Sequence, residues 1–151
     1  MATSKKTIKG FNQLLTYYLE GKKLYAFLAD QESDVQLIRF YNLQSTQRNR
    51  FANDVKGVIR SLGERPKKAI MKPKLWHNWN QMIDELVSTQ QGSFLERIMK
   101  KDQQSMQLCE QLLSEGYLSE EEVVLFEMHL KLLNEANEAL FATINTMEAL
   151  S

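Results

Sequence analysis

The amino-acid sequence predicts an all-α fold, an antiparallel four-helix bundle with an extra short helix in the connection between helices 2 and 3. Apolar residues recur at three- and four-residue spacing along four long segments, as in helices buried on one face. The 151 residues include only two prolines and six glycines, too few for a turn-rich β architecture. Because this length is typical of one domain, we expect a single domain spanning residues 1–151.

The first two predicted helices form a hairpin. Their apolar stripes extend over about residues 7–30 and about residues 34–62, with a short polar connection between them. Ser33 or Asp34 is suited to cap the second helix, since its side-chain oxygen accepts hydrogen bonds from free backbone N–H groups. Gly63 is placed to end that helix in the left-handed conformation.

A basic loop and a short amphipathic helix come next. Residues 64–74 are rich in lysine and arginine, and residues 75–90 are expected to form the extra helix. Trp76, His77 and Trp79 make this segment a candidate interaction surface. The alternatives are a packed flap over one end of the bundle, or a helix lying on an anionic membrane, although acidic residues interrupt its basic face.

The last two long helices are expected at about residues 93–115 and about residues 119–149. Each begins with a capping box, at Ser93–Glu96 and at Ser119–Glu122, in which the serine and the glutamate satisfy each other's backbone N–H groups. Gly92 is expected to separate the short helix from the third long one. Short connections imply antiparallel neighbours, and residues 64–92 supply the longer connection between the two halves.

Polar residues interrupt the inward stripes near the midpoints of the helices. An antiparallel bundle brings such midpoints to the same height, so these side chains are expected to form one buried polar layer. The predicted layer consists of Tyr18, Lys22, Gln44, Arg48, Asp102 and Asn137. Asp102 is expected to pair with Arg48 or Lys22, either as an ion pair that sets helix register or within a small-ligand or proton-transfer site.

The charge is strongly uneven along the chain although its net value is zero. Residues 1–75 contain 15 Lys/Arg and 6 Asp/Glu, a balance of +9, whereas residues 76–151 contain 4 and 13, a balance of −9. Attraction between the two helical hairpins explains this pattern, and head-to-tail self-association is an alternative. A nucleic-acid surface is disfavoured, because an equal acidic surface within the same domain would repel phosphates.

Several features indicate a cytoplasmic protein. The single cysteine, Cys109, has no internal partner for a disulfide, which favours a reducing compartment. No apolar run approaches the roughly 20 residues that span a bilayer, so no integral membrane segment is expected. The first nine residues contain lysines but no apolar stretch behind them, unlike a signal peptide.

A set of short motifs is similar to a known group of proteins. The motifs are Glu20–Tyr25, Gln47–Arg48 with Phe51, Leu62–Gly63 before a proline, His77–Trp79, and an acid in the middle of the third long helix. In this order they resemble a family of uncharacterised bacterial ferritin-like four-helix-bundle proteins, over about residues 8–145. The resemblance implies a ferritin-like bundle and, by analogy, a place in a bacterial stress response. Asn137 stands where relatives often carry histidine.

The residues do not fit the di-iron site that a ferritin-like bundle suggests. Such a centre needs a Glu on each of two helices and a Glu-x-x-His motif on each of the other two. The sequence contains no Glu-x-x-His, and Asp54, the acid of the second helix, lies well off the inner stripe. Glu127 and His129 are two residues apart and so face different sides of their helix. We also find no nucleophile–His–acid arrangement, phosphate-binding loop or zinc spacing.

We therefore expect a non-enzymatic bundle, without cofactor or metal, that acts through protein–protein contact. Its partner is an unknown protein or a second copy of the chain. A degenerate ferritin-like protein that binds metal or handles oxidants is the alternative from another class. A bundle that binds a small ligand beside Asp102 is the third hypothesis.

Overall fold

The computed structural model describes residues 4–67 and 91–150, and within them the chain forms four α-helices and no strand. The helices are α1 (Lys5–Gln31), α2 (Val35–Ser61), α3 (Gln91–Ser114) and α4 (Glu120–Leu150). The predicted all-helical class and its four long helices are confirmed. The extra short helix expected at residues 75–90 lies outside the described residues.

The ends of α1 and α2 follow the capping signals. Ser4 caps α1 by accepting the backbone N–H of Thr7 at 3.1 Å, so the helix begins two residues before the predicted position. Asp34 caps α2 by accepting two backbone N–H groups. Gly63 follows α2 at φ +86°, and its N–H donates to the carbonyl of Arg60 at 3.0 Å, so the predicted glycine terminator is confirmed.

The predicted start of α3 is wrong. The chain is already helical from Gln91, so Gly92 and Ser93 lie inside the helix and Ser93 is not its N-cap. A single glycine in a helix interior costs about 1 kcal/mol relative to alanine, which packing of the following apolar face offsets. The second capping box is confirmed, because Ser119 and Glu122 exchange side-chain to backbone hydrogen bonds of 2.9 and 3.2 Å at the start of α4.

The four helices pack side by side in the cyclic order α1, α2, α4, α3. Hydrogen bonds from Thr7 to Glu115 and from Lys101 to Glu20 show that α1 and α3 are antiparallel. Because α1 is antiparallel to α2 as well, α2 and α3 run in the same direction. Because α2 has 27 residues and is about 40 Å long, the end of α2 and the start of α3 lie at opposite ends of the bundle.

The apolar interior divides into two clusters, one toward each end of the bundle. The first is built on residues such as Phe11, Phe51 and Phe126, and the second on residues such as Leu28 and Phe94. Between the two clusters, at mid-height, the helices contribute buried polar side chains instead of apolar ones. The helices thus deliver these polar groups to one level of the core.

None of the described helices combines the length and the apolar character that crossing a lipid bilayer requires.

Candidate functional site

An ion pair between α2 and α3 lies at the centre of the bundle. Arg48 donates from Nη2 to Asp102 Oδ2 at 2.8 Å and, more weakly, from Nε to Oδ1 at 3.4 Å. Only 1% of Arg48 and 4% of Asp102 is exposed, so solvent does not screen the pair. The two helices are diagonal to each other in the bundle, and the pair therefore spans its full cross-section.

Neutral side chains complete the hydrogen bonding of the two charges. Tyr25 Oη donates to Asp102 Oδ2 at 2.9 Å, and Arg48 Nη1 donates to Gln44 Oε1 at 2.9 Å, one helical turn earlier. The guanidinium also lies 5.1 Å from the centre of the Tyr25 ring, close enough for a cation–π contact. Both carboxylate oxygens of Asp102 consequently have partners within the protein.

Burial and charge pairing act in opposite directions on Arg48. Burial lowers the pKa of its guanidinium, but Asp102 and Tyr25 raise that pKa by more, so the group stays charged. Burial, and then the Asp102 charge, raise the pKa of Tyr25 well above its ordinary value. The arrangement is one permanent cation neutralised by one carboxylate and enclosed by bonded neutral groups.

Gly21 makes room for the stem of Arg48. A Cβ atom at this position of α1 would lie 3.4 Å from Cγ and 3.6 Å from Cδ of Arg48. These are ordinary van der Waals distances, so a methyl group fits here. Gly21 is buried, however, and a longer side chain would have to displace the arginine.

The other residues of the predicted layer lie apart from this pair. Lys22 is half-buried and donates to Asn49 Oδ1 at 3.1 Å, so the cation beside Asp102 is Arg48 and not Lys22. Asn137 is 9% exposed, and its Nδ2 lies 4.0 Å from Met106 Sδ, while its Oδ1 has no protein partner. Of the six predicted residues, Gln44, Arg48 and Asp102 are directly hydrogen-bonded to one another. Tyr18, Lys22 and Asn137 each have a different partner outside this group.

Tyr18 belongs to a second polar chain, between α1, α4 and α2. His129 is 1% exposed; its Nε2 lies 2.9 Å from Asp54 Oδ2 and its Nδ1 lies 3.3 Å from Tyr18 Oη. Because a carboxylate only accepts hydrogen bonds, Nε2 carries the ring proton and the tyrosine hydroxyl donates to Nδ1. The structure thus links a tyrosine hydroxyl, a histidine and a carboxylate, a connection that the sequence did not predict.

This second chain leads from the surface to the core. Asp54 is about one-third exposed at its side chain, whereas none of Tyr18 is exposed. Burial lowers the pKa of His129, and Asp54 partly opposes this while Arg48 adds to it, so the ring is neutral at pH 7. Burial likewise raises the pKa of Tyr18 well above its ordinary value. The hydroxyl is thus neither ionised nor in contact with solvent.

Sequence reasoning missed this chain because of where its members lie on their helices. His129 is three residues after Phe126, at about 60° from it on the helical wheel, and so at the margin of the inner stripe. Its distance from Phe51, 4.1 Å between ring centres, shows that this margin is fully enclosed. Testing the flanks of each apolar stripe, and not only its centre, would have found the histidine.

Cys109 is buried beside these groups. Its thiol lies 3.7 Å from the backbone carbonyl of Phe126, and burial raises the pKa of the thiol to about 12. A thiol in this state carries almost no thiolate at neutral pH and is a poor nucleophile. The interpretation of Cys109 as an inert core residue agrees with this environment.

Outside the core, a shallow groove of about 360 Å³ lies between α3 and α4. Its lining includes Met99, Lys100 and Phe141, and more than half of Phe141 is exposed. Residues 4–67 and 91–150 contain no group of three or more His, Cys, Asp or Glu side chains placed to hold a metal ion. The candidate interaction surface at Trp76, His77 and Trp79 lies outside the described part of the chain.

No protein-family model matches the chain, and neither a curated protein nor a solved structure is significantly similar to it.

Proposed function

We propose that the chain is a non-catalytic helical bundle that acts by binding another protein through its outer helix faces. The observation that carries the proposal is the distribution of exposed apolar side chains. Four of the six large apolar side chains exposed in the described residues lie on α4: Val124, Leu125, Met128 and Phe141, which are 64%, 37%, 47% and 57% exposed. Apolar area of this kind on one element is typical of a contact surface.

The interior supports the same proposal through its bonding. A ligand or a metal ion needs free donor atoms, yet both oxygens of Asp102 are already bonded to Arg48 and Tyr25. The adjacent guanidinium would also repel a cation approaching that carboxylate. Asp102 is thus already engaged within the protein, whereas the exposed apolar side chains of α4 need no rearrangement to bind.

The proposal includes a ferritin-like arrangement of the helices. One long connection between parallel helices, flanked by two hairpins, is the ferritin-like pattern, and the directions of α2 and α3 support it. The resemblance of the motifs to ferritin-like bacterial proteins extends the proposal to a cytoplasmic role in a stress response. The single buried cysteine suits that compartment.

Affinity capture from the native cell, with two matched variants, tests the proposed surface binding. Val124→Asp with Met128→Asp alters only exposed positions and should abolish capture of partners seen with the wild type. Arg48→Met with Asp102→Leu replaces the buried ion pair by apolar groups and should leave capture unchanged. Loss of capture in the core variant, with the surface variant binding normally, would contradict the proposal. Circular dichroism confirms that both variants keep their helices.

Elemental analysis of protein purified without a histidine tag tests the alternative of a degenerate metalloprotein. The proposed function expects iron and manganese below stoichiometric amounts. One or more iron or manganese ions per chain would overturn the protein-binding proposal in favour of a metal-dependent role.

A further inference from the structure

The side of the bundle formed by α2 and α4 carries an exposed apolar strip. Leu43 on α2 is 53% exposed, and Leu125 and Met128 on α4 are 37% and 47% exposed. Of the neighbouring helices, α2 and α4 pack least closely together. After α2 the chain turns toward α1, since the backbone N–H of Lys67 donates to Asn12 Oδ1 at 2.9 Å. The described residues therefore leave the α2/α4 side uncovered.

The two helices that form this side carry opposite charges. The exposed residues of α2 include three arginines, and its one acid, Asp54, is about one-third exposed and hydrogen-bonded to His129. The helix α4 has exposed glutamates and a single lysine. The arginines are Arg39, Arg50 and Arg60; the glutamates are Glu120, Glu121, Glu127, Glu135 and Glu138. A basic helix beside an acidic helix makes a surface that is complementary to a copy of itself after a half-turn.

We infer that a second copy of this chain binds to the α2/α4 side, related to the first by a two-fold axis parallel to the helices. This symmetry places α2 of each copy on α4 of the other. The alternative two-fold axis, perpendicular to the helices, would place α2 on α2 and bring the arginines together. The inference rests on the proposed function, because it names the protein that the outer faces bind.

The register of α2 and α4 aligns the charges across this symmetry. Within one chain Asp54 is level with His129, because their side chains are hydrogen-bonded. Arg50 lies four residues before Asp54, and is therefore level with Leu133, four residues after His129. Glu135 is two residues further on, a rise of about 3 Å. A two-fold axis parallel to the helices preserves height, so Arg50 of each copy meets Glu135 of the other.

The same register sets large side chains against small ones. Leu43 lies eleven residues before Asp54 and is level with the residue eleven after His129, where the outer part of α4 presents Ala139 and Ala142. The leucine of one copy therefore faces alanines of the other.

On the other half of the strip the large side chain comes from α4 and the small residue from α2. Met128, the residue before His129, is level with Val55, the residue after Asp54. Next to Val55 on the outward face of α2 is Gly57, where no atom lies within 4 Å of the position of a Cβ atom. The open backbone at Gly57 thus leaves room for Met128 of the second copy.

Sedimentation equilibrium of the full chain tests this dimer. The wild type should fit a monomer–dimer equilibrium that weakens with salt. Leu43→Asp and Met128→Asp should each give a monomer. Arg50→Glu and Glu135→Arg should each raise the dissociation constant by about tenfold or more, since each dimer contains the pair twice. The double variant Arg50→Glu/Glu135→Arg should restore dimerisation.

Two charge reversals on the other two helices serve as controls. Lys9→Glu on α1 and Glu110→Arg on α3 alter exposed residues away from the α2/α4 side and should leave the dissociation constant unchanged. All substituted positions are at least one-third exposed, so circular dichroism should show intact helices in every variant.

Three results would overturn the inference. A wild type that is monomeric at every soluble concentration would overturn the proposed dimer. In that case, capture of another protein that depends on Met128 would still support the proposed function. A dimer unaffected by the Leu43 and Arg50 variants would place the interface elsewhere. Species larger than a dimer would show a contact that does not close on itself, contrary to two-fold symmetry.

Discussion

Removing the carboxylate of Asp102 leaves the guanidinium of Arg48 buried without a counter-charge, and this should destabilise the bundle severely. Arg48 is 1% exposed, so its guanidinium has almost no contact with solvent. In Asp102→Ala the strong bond of 2.8 Å from Arg48 Nη2 is lost, and the hydroxyl of Tyr25 loses its acceptor as well. The remaining hydrogen-bond partner of the cation is the neutral amide oxygen of Gln44.

Breaking a buried pair by removing one partner costs about 3–5 kcal/mol. A loss of about 1 kcal/mol lowers the melting temperature by roughly 2–4 °C in a protein of this size. We therefore expect Asp102→Ala to melt roughly 6–20 °C below the wild type. Asp102→Asn should show most of this loss, because it retains the shape and an acceptor oxygen but not the charge.

Urea unfolding followed by circular dichroism measures the effect, with an unchanged slope showing that the unfolded state is the same. The double variant Arg48→Met/Asp102→Leu is the control, since apolar residues of similar volume often replace a buried ion pair at no cost or with a gain in stability. An Asp102→Ala variant less than about 1 kcal/mol weaker than the wild type would refute the claim that the cation is buried and dependent on this carboxylate.

Three further predictions concern titration, reactivity and backbone. Burial lowers the pKa of His129, so just below pH 6.5 the unfolded state binds more protons than the folded state. The free energy of unfolding should therefore be constant above that pH and fall below it. His129→Gln should reduce this fall, as measured by urea titrations at about pH 5.5 and 7.5. Cys109, with a thiol pKa of about 12, should react with Ellman's reagent only at the unfolding rate, and rapid labelling of the native protein would contradict its burial. Gly57→Ala should stabilise the monomer by about 1 kcal/mol in chemical denaturation, because open space surrounds the new methyl group. Gly10→Ala should gain less or lose stability, because its Cβ atom would lie 3.0 Å from Leu112 Cδ2, and an equal gain at both sites would contradict that contact.

The helix ends show how far local chemistry predicts structure. Asp34, Gly63 and the capping box at Ser119 act through contacts with residues nearby in sequence, and these signals are confirmed. At Gly92 the same kind of local reasoning was wrong, because the preference of glycine against helix is only about 1 kcal/mol. Local rules hold where a specific bond enforces them and yield where packing of a helix face competes.

The same distinction applies to the candidate site, where the sequence predicts burial but not pairing. Periodicity placed Arg48 and Asp102 on inward stripes, and both are buried. Periodicity did not distinguish Arg48 from Lys22 as the partner of Asp102, because that choice depends on the rotation and tilt of α1 and α2. Asp54 and His129 lie 75 residues apart in the chain and at the margins of their stripes, so only the approach of α2 to α4 brings them to 2.9 Å.

The sequence by itself determined that this protein is helical, where its long helices lie, and that charged side chains point into its core. These properties follow from a 3.6-residue period and from caps, which act within a few residues. The tertiary structure alone decided which charges pair, that a buried histidine connects Asp54 to Tyr18, and that the basic helix α2 lies beside the acidic helix α4. Those relations depend on the heights and rotations of helices far apart in the chain, which packing of the whole core sets.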